Sequence, residues 1–514
     1  MSIKTYLPLI VLAAILFGSC AKDDTDFGGR DISTITIDAS SFQEEYNQDK
    51  NDVVVIEPVV SQSIEGQELH YEWEIEHEVY STEPVFRYNC TRLGTFDCRL
   101  IVSNDDGKAF HTFRINVNTP YEEGLVIISN DPEGKSMVSF MLHHIDGTPD
   151  TFDDRDVFSL NNPEVKFAPN VSDAVVSNGS LILACKGKPT TGEPATIYYL
   201  NEKTLDLENY VEVPEYPDFQ PQMMMVSKAA YSGASYPTLS SDGKVYEFAS
   251  TEGAVVTSTK FAYTYDTDAY AFFDDGTGRN YNIFLWDKEL GIPVTMFNGY
   301  GGYYCIEDWA TCGYRASVNS QTNIFAPGAD EPIAMFIPRF TKVQLVLNKP
   351  QLYIITKSGN LLRRTSFQKD VWGYDLATAQ NKFLLMEAPT NIGPAGVVPF
   401  AKGMPMIASH THKRLFYAIG NKIYQWHYPQ NTLYQVKLFT TVGNDATVIK
   451  SMELSADQQT LYVAAYNPNE GGLNGSCYII GINQSATTED VTAGDVTAYE
   501  HVSYNPIKII YKQK

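Results

Sequence analysis

The sequence predicts an all-β protein, a small β-sandwich followed by a β-propeller of about seven blades. Three observations carry that expectation. Short apolar strands recur along the chain, separated by Gly, Asn and Asp turns. Strand-favouring aromatics are abundant, with 33 Tyr and 26 Phe. Helical periodicity is nearly absent, and only Leu376 to Met386 reads as a short helical stretch.

The first segment is a targeting signal. Lys4 supplies the positive start, and Tyr6 to Phe17 is an uncharged run of 12 residues. That run is too short to span a bilayer but suits the apolar core of a signal peptide. Gly18 and Ser19 are small, and Cys20 follows them directly. A thiol at that place is what lipoprotein processing modifies, so residues 1–19 read as a cleaved signal and Cys20 as the lipidated residue. Residues 20–31 are polar and contain Gly, as in a flexible stalk.

Residues 32–119 read as the sandwich. Ile32 to Ile37 and Val53 to Ile56 are β-branched runs. Leu69, Tyr71, Trp73 and Ile75 alternate with polar residues and so share one strand face. Phe96 to Val102 turns at Asn104-Asp105-Asp106-Gly107 into Phe110 to Val117. Thr119-Pro120 begins a polar turn before a new pattern, which places the boundary there.

From 120 to 514 the chain repeats a hairpin. Leu125 to Ile128 returns as Met137 to Leu142, and Leu181 to Cys185 as Ala195 to Leu200. Lys244 to Phe248, Tyr281 to Trp286 and Gln351 to Ile355 are further strands of this kind. Arg414 to Ile419 turns at Gly420-Asn421 into Lys422 to Trp426, and Thr460 to Ala464 follows Ser455-Ala456-Asp457. Seven hairpin cores over about 390 residues give roughly 55 per unit, within reach of a four-stranded blade with loops. Lone hairpins are marginal in water, so such units must stack. Ile507 to Tyr511, at the end of the chain, can complete the first blade and cover its open edge.

The formal charge of −24 becomes −25 once the single charge of Lys4 is removed with residues 1–19. So acidic a body lacks the basic footprint that nucleic acid requires. Seven cysteines leave six beyond Cys20. Cys90 and Cys98 are eight apart, as are Cys305 and Cys312, and either pair can bridge a hairpin or loop. Cys185 and Cys477 read as buried single thiols in strands. Neither a Cys-x-x-Cys nor a His-paired spacing appears, so no metal site is assigned.

Several stretches bear on chemistry. No G-x-S-x-G, H-E-x-x-H or P-loop pattern is present. His410-Thr411-His412 would put both rings on one strand face, which suits a metal or an ordinary strand pair. Asp266-Thr267-Asp268 and Asp274-Asp275-Gly276 offer oxygen ligands for structural calcium, or Asx turns. No cofactor is otherwise expected. The strongest candidate for ligand binding is Asn298 to Trp309. Its glycines allow tight turns, and Tyr300, Tyr303, Tyr304 and Trp309 crowd together. Trp372 and Tyr374 form a second aromatic candidate, and Met223 to Met225 a third. These rings can equally pack within their own loop.

Cys20-Ala21-Lys22-Asp23-Asp24 resembles the export signal of surface lipoproteins in the Bacteroidota. Tyr71-Glu72-Trp73-Glu74-Ile75 and Gly94 to Asn104 resemble the core strands of PKD and immunoglobulin-like domains, with Phe96 where Tyr is usual. Ser455 to Ala464 resembles the strand entry of YVTN- and WD-like propellers. Together they resemble PKD-like surface lipoproteins found beside Sus-type importers. The resemblance implies a lipid anchor on the extracellular face of the outer membrane. As partners it implies a SusC-like TonB-dependent barrel, a SusD-like lipoprotein and other surface lipoproteins. It implies a non-enzymatic accessory or substrate-binding role, with oligopeptide preferred over glycan as cargo. The alternative is a surface propeller hydrolase or lyase acting on a polymer.

Overall fold

The computed structural model describes residues 31–142, 150–153, 155–226, 235–249, 254–257, 264–274, 281–289, 291–298, 304–305, 330–341, 351–375, 380–397, 399–430, 432–485 and 490–512. The chain divides into two compact units that part between Thr119 and Pro120.

The first unit is built from β1 (Ile35–Ile37), β2 (Glu45–Asp49), β3 (Val53–Ile56), β4 (Val60–Gln62), β5 (His70–Ile75), β6 (Glu78–Ser81), β7 (Phe86–Asn89), β8 (Gly94–Ser103) and β9 (Lys108–Asn118). Five strands form one sheet in the order β2-β9-β8-β5-β6. β1 pairs with β4 and β3 with β7. β2 runs parallel to β9, whereas the other ladders are antiparallel. The alternation in the sequence decides which residues face inward. Val54 and Ile56 of β3, Phe86 and Tyr88 of β7, and Trp73, Leu100, Val102 and Ile115 of the large sheet meet in one core. Trp73 is fully buried, 4.8 Å from the Phe86 ring, and its Nε1 donates to Glu83 O at 2.8 Å. A buried indole needs that partner, because an unmatched N–H costs a full desolvation. On the outer face Glu74 accepts from Arg99 at 2.6 Å.

Cys90 and Cys98 are free, buried thiols, not a disulfide. Their spacing suits a hairpin, but Cys90 follows β7 in one layer and Cys98 lies in β8 of the other, opposite Phe113 and Ile75.

The second unit consists of four-stranded antiparallel sheets taken almost in chain order. Blade one holds β10 (Gly124–Asn130), β11 (Ser136–Leu142) and β12 (Thr151–Asp153). Blade two holds β13 (Val171–Ser177), β14 (Ser180–Cys185), β15 (Ala195–Asn201) and β16 (Leu207–Val213). Blade three holds β17 (Pro221–Met224), β18 (Ser235–Ser240), β19 (Val245–Ala249) and β20 (Ala254–Thr257). Blade four holds β21 (Tyr265–Asp274), β22 (Tyr281–Asp287), β23 (Ile292–Asn298) and β24 (Tyr304–Cys305). Blade five holds β25 (Asp330–Phe336), β26 (Gln351–Ser358), β27 (Leu361–Asp375) and β28 (Gln380–Pro394). Blade six holds β29 (Met406–Ser409), β30 (Arg414–Ile419), β31 (Lys422–Trp426) and β32 (Lys437–Thr441). Blade seven holds β33 (Val448–Leu454), β34 (Thr460–Tyr466), β35 (Gly475–Gln484) and β36 (Val491–Ser503). The last strand, β37 (Asn505–Lys512), returns to pair antiparallel with β10 as the fourth strand of blade one.

The apolar clusters join each blade to the next. Val126 and Ile128 of blade one meet Leu181 and Leu183 of blade two, and Ile182 and Ile197 of blade two meet Met224 and Tyr246 of blade three. A third cluster runs from Leu239 of blade three through Leu285 of blade four to Ile354 of blade five. Tyr353 meets Leu415, and Phe416 meets Leu461. Leu125 and Met141 then meet Tyr462 and Cys477, which closes the circuit from blade seven to blade one. Seven sheets with a shared core at every junction, sealed by the final strand, form a β-propeller. β10 and β14 are buried along nearly their whole length, because each is covered on both faces.

Two expectations need correction. Leu376 to Met386 is not helical where described, since Gln380–Pro394 is strand β28. Among the described residues the α-helix is α1 (Val157–Asn161), whose Val157 and Phe158 join the core of blades one and two. Met224 and Met225 are buried in two neighbouring cores, and Met223 packs against that of Met225, so they offer no adaptable surface.

Candidate functional site

Several buried charges of the second unit sit on the innermost strands β37, β13, β17, β21, β25, β29 and β33, among them Asp173, Asp266 and Glu453. Six of them slip register with their neighbour near their start. The ladder skips Ile507, Ser172, Gln222, Ile333 and Lys450, and the longer stretch Asp266 to Ala269 in β21. A bulge adds twist and turns a group out of the ladder. Here the freed groups reach the next blade. Ser172 Oγ donates to Pro221 O at 2.5 Å, and Gln222 Nε2 donates to Thr267 O at 3.1 Å.

Asp173 is the centre of this arrangement and is 3% exposed. Its Oδ1 receives Lys508 Nζ at 2.7 Å, and its Oδ2 accepts the Met224 amide at 2.6 Å. One carboxylate thus ties blades one, two and three. Tyr270 of blade four stands nearby. Burial pushes its phenol up to about 12, and the charges of Asp173 and Asp268 add to that. Ile509 N donates to Ser451 Oγ at 3.1 Å and joins blades one and seven.

Two more ion pairs that engage a buried carboxylate cross between blades. Lys402, in the segment leading into blade six, pairs with the buried carboxylate of Asp266 in blade four. Arg339, just past β25, holds Glu453 of blade seven in a two-pronged pair, with Nη2 to Oε2 at 2.9 Å. Arg339 also spans blade six, donating from its amide to Ala408 O at 2.8 Å and accepting from Gln458 Nε2 at 3.0 Å.

These contacts settle several motifs. Asp266 is matched by Lys402 and accepts the Asp268 amide at 3.0 Å, so it is an Asx turn and not a calcium ligand. His412 is buried with both ring nitrogens engaged, Nδ1 with Gln484 Oε1 at 2.9 Å and Nε2 with Gln458 O at 2.7 Å. His410 instead stacks on Phe340 with centroids 4.3 Å apart. The two imidazoles therefore do not form a metal site. Among the described residues, no group of three or more His, Cys, Asp or Glu side chains could hold a metal ion.

Half of the aromatic candidates fall outside the described residues. Tyr300, Tyr303 and Trp309 lie there, as do Cys20 and Cys312. Tyr304 and Cys305 form the short outermost strand of blade four, paired with Asn298 and Phe297. Trp372 and Tyr374 sit on β27 where it outruns its inner neighbour. β26 ends its pairing at Gln351 opposite Gln368, while β27 and β28 continue as a two-stranded arm. Trp372 lies in the interruption of that arm between Asp370 and Tyr374.

Sequence reasoning missed the axial ties. Asp173 and Lys508 are 335 residues apart. Their only sequence signal is a charge set within an apolar strand, in Val-Ser-Asp-Ala-Val-Val and Ile-Lys-Ile-Ile.

No family model and no curated protein matches the chain. Among solved structures, it is similar to a quinoprotein alcohol dehydrogenase-like protein from Bacteroides thetaiotaomicron. That match has 13% identity and a TM-score of 0.45, and covers 93% of this chain and 99% of the other. It is also similar to a periplasmic gluconolactonase from Pseudomonas aeruginosa, with 12% identity and a TM-score of 0.44 over 76% of this chain and 99% of the other. Likeness this distant carries no chemistry across, and the propeller assignment rests on the sheet topology and the closed circuit of cores.

Proposed function

We propose that this is a lipid-anchored surface protein that serves an outer-membrane importer without catalysing a reaction. In this reading Cys20 carries the anchor, and the first unit is a PKD-like spacer or docking domain. The second unit is the body that meets cargo or partners. The partners are a SusC-like TonB-dependent barrel and a SusD-like lid, and the cargo is an oligopeptide before a glycan.

The observation that carries the non-catalytic reading is the use made of the axial charges. A hydrolase or lyase needs two carboxylates, or a His with a carboxylate and a cation, facing a substrate. Asp173, Asp266 and Glu453 are each taken up by Lys508, Lys402 and Arg339. Such pairs hold blades together and occupy the carboxylates. The lipobox and the Lys-plus-acid cluster behind Cys20 support the location.

The test is a mild-detergent pull-down of the tagged, lipidated protein from its native outer membrane, read by mass spectrometry. The reading expects a TonB-dependent barrel and a SusD-like lipoprotein at near-unit ratio. Isolation of the protein alone, together with cleavage of a peptide or glycan panel, would move the hydrolase or lyase reading to the front.

A further inference from the structure

We draw no further inference here: the strongest candidate, the open groove of about 490 Å³ on the outer face of the five-stranded sheet of the first unit, carries nothing, because its Arg99 and Arg114 already engage Glu74, Asp97 and Glu45 and nothing in the structure shows what covers that face.

Discussion

At the residue scale, Lys512 shows how burial becomes pH dependence. Its side chain is 2% exposed, and its Nζ donates to the carbonyl oxygens of Tyr121, at 2.6 Å, and Glu202. Burial holds its pKa down to about 8, with Glu202 and Glu122 opposing. In the unfolded chain the amine titrates near 10.5. Between those values the unfolded state binds more protons, so stability attributable to Lys512 rises with pH. Below about 8 both states are protonated and the cost of burying the charge is fully present. Chemical denaturation of wild type and Lys512→Met at pH 7.5 and 10 checks this. The wild type should gain on the variant by on the order of 2–3 kcal/mol over that interval. The four described thiols make a second residue-scale prediction. Cys98 and Cys477 are both pushed up to about 12 by burial, and Cys90 and Cys185 are also raised. Thiols so protonated and enclosed are poor nucleophiles. Native alkylation followed by peptide mapping should leave all four unmodified, and non-reducing maps should contain no Cys90–Cys98 link.

At the element scale, the middle strands of the blades were legible, and most of the innermost and outermost ones were not. Leu181–Ile182–Leu183–Ala184–Cys185 is unbroken apolar sequence because both its faces are covered. β16 has mostly exposed positions, and β36 is exposed along most of its length, so neither carries a hydrophobic period to read. Gln380–Asn381–Lys382–Phe383–Leu384–Leu385–Met386 contains good helix formers, yet pairing with β27 overrides propensity and makes it strand. α1 spans only five residues, too few to show a period. The turn after β10 was legible for a physical reason. Asp131 Oδ1 accepts the Lys135 amide at 2.7 Å, and Gly134 holds φ at +90°, where a Cβ would lie 2.4 Å from Asn170 Oδ1. The bulges of the inner strands had no such signal. They answer to the convergence of neighbouring blades, which no local spacing encodes.

At the scale of the molecule, the last strand closes what the first began. β37 covers the open edge of β10, its Ile509 is buried with Leu125 and Ile127, and its Lys508 reaches Asp173. The alternation of Ile507 to Tyr511 made that strand visible in the sequence, but the tie from Lys508 to Asp173 was not. A chain ending at Tyr504 should therefore lose the cooperative unfolding transition of the second unit. The first unit, with its own core around Trp73, should keep its transition. Scanning calorimetry of the two chains checks this.

The central claim is that the axial charges fasten blades together and do not work on a substrate. A double-mutant cycle across Lys508 and Asp173 tests it most directly, with Lys508→Met, Asp173→Asn and the pair compared by denaturant unfolding of the second unit. The account predicts a coupling of at least about 1 kcal/mol, because the carboxylate is buried and bound on both oxygens. Single effects that simply add, to within about 0.5 kcal/mol, would contradict it.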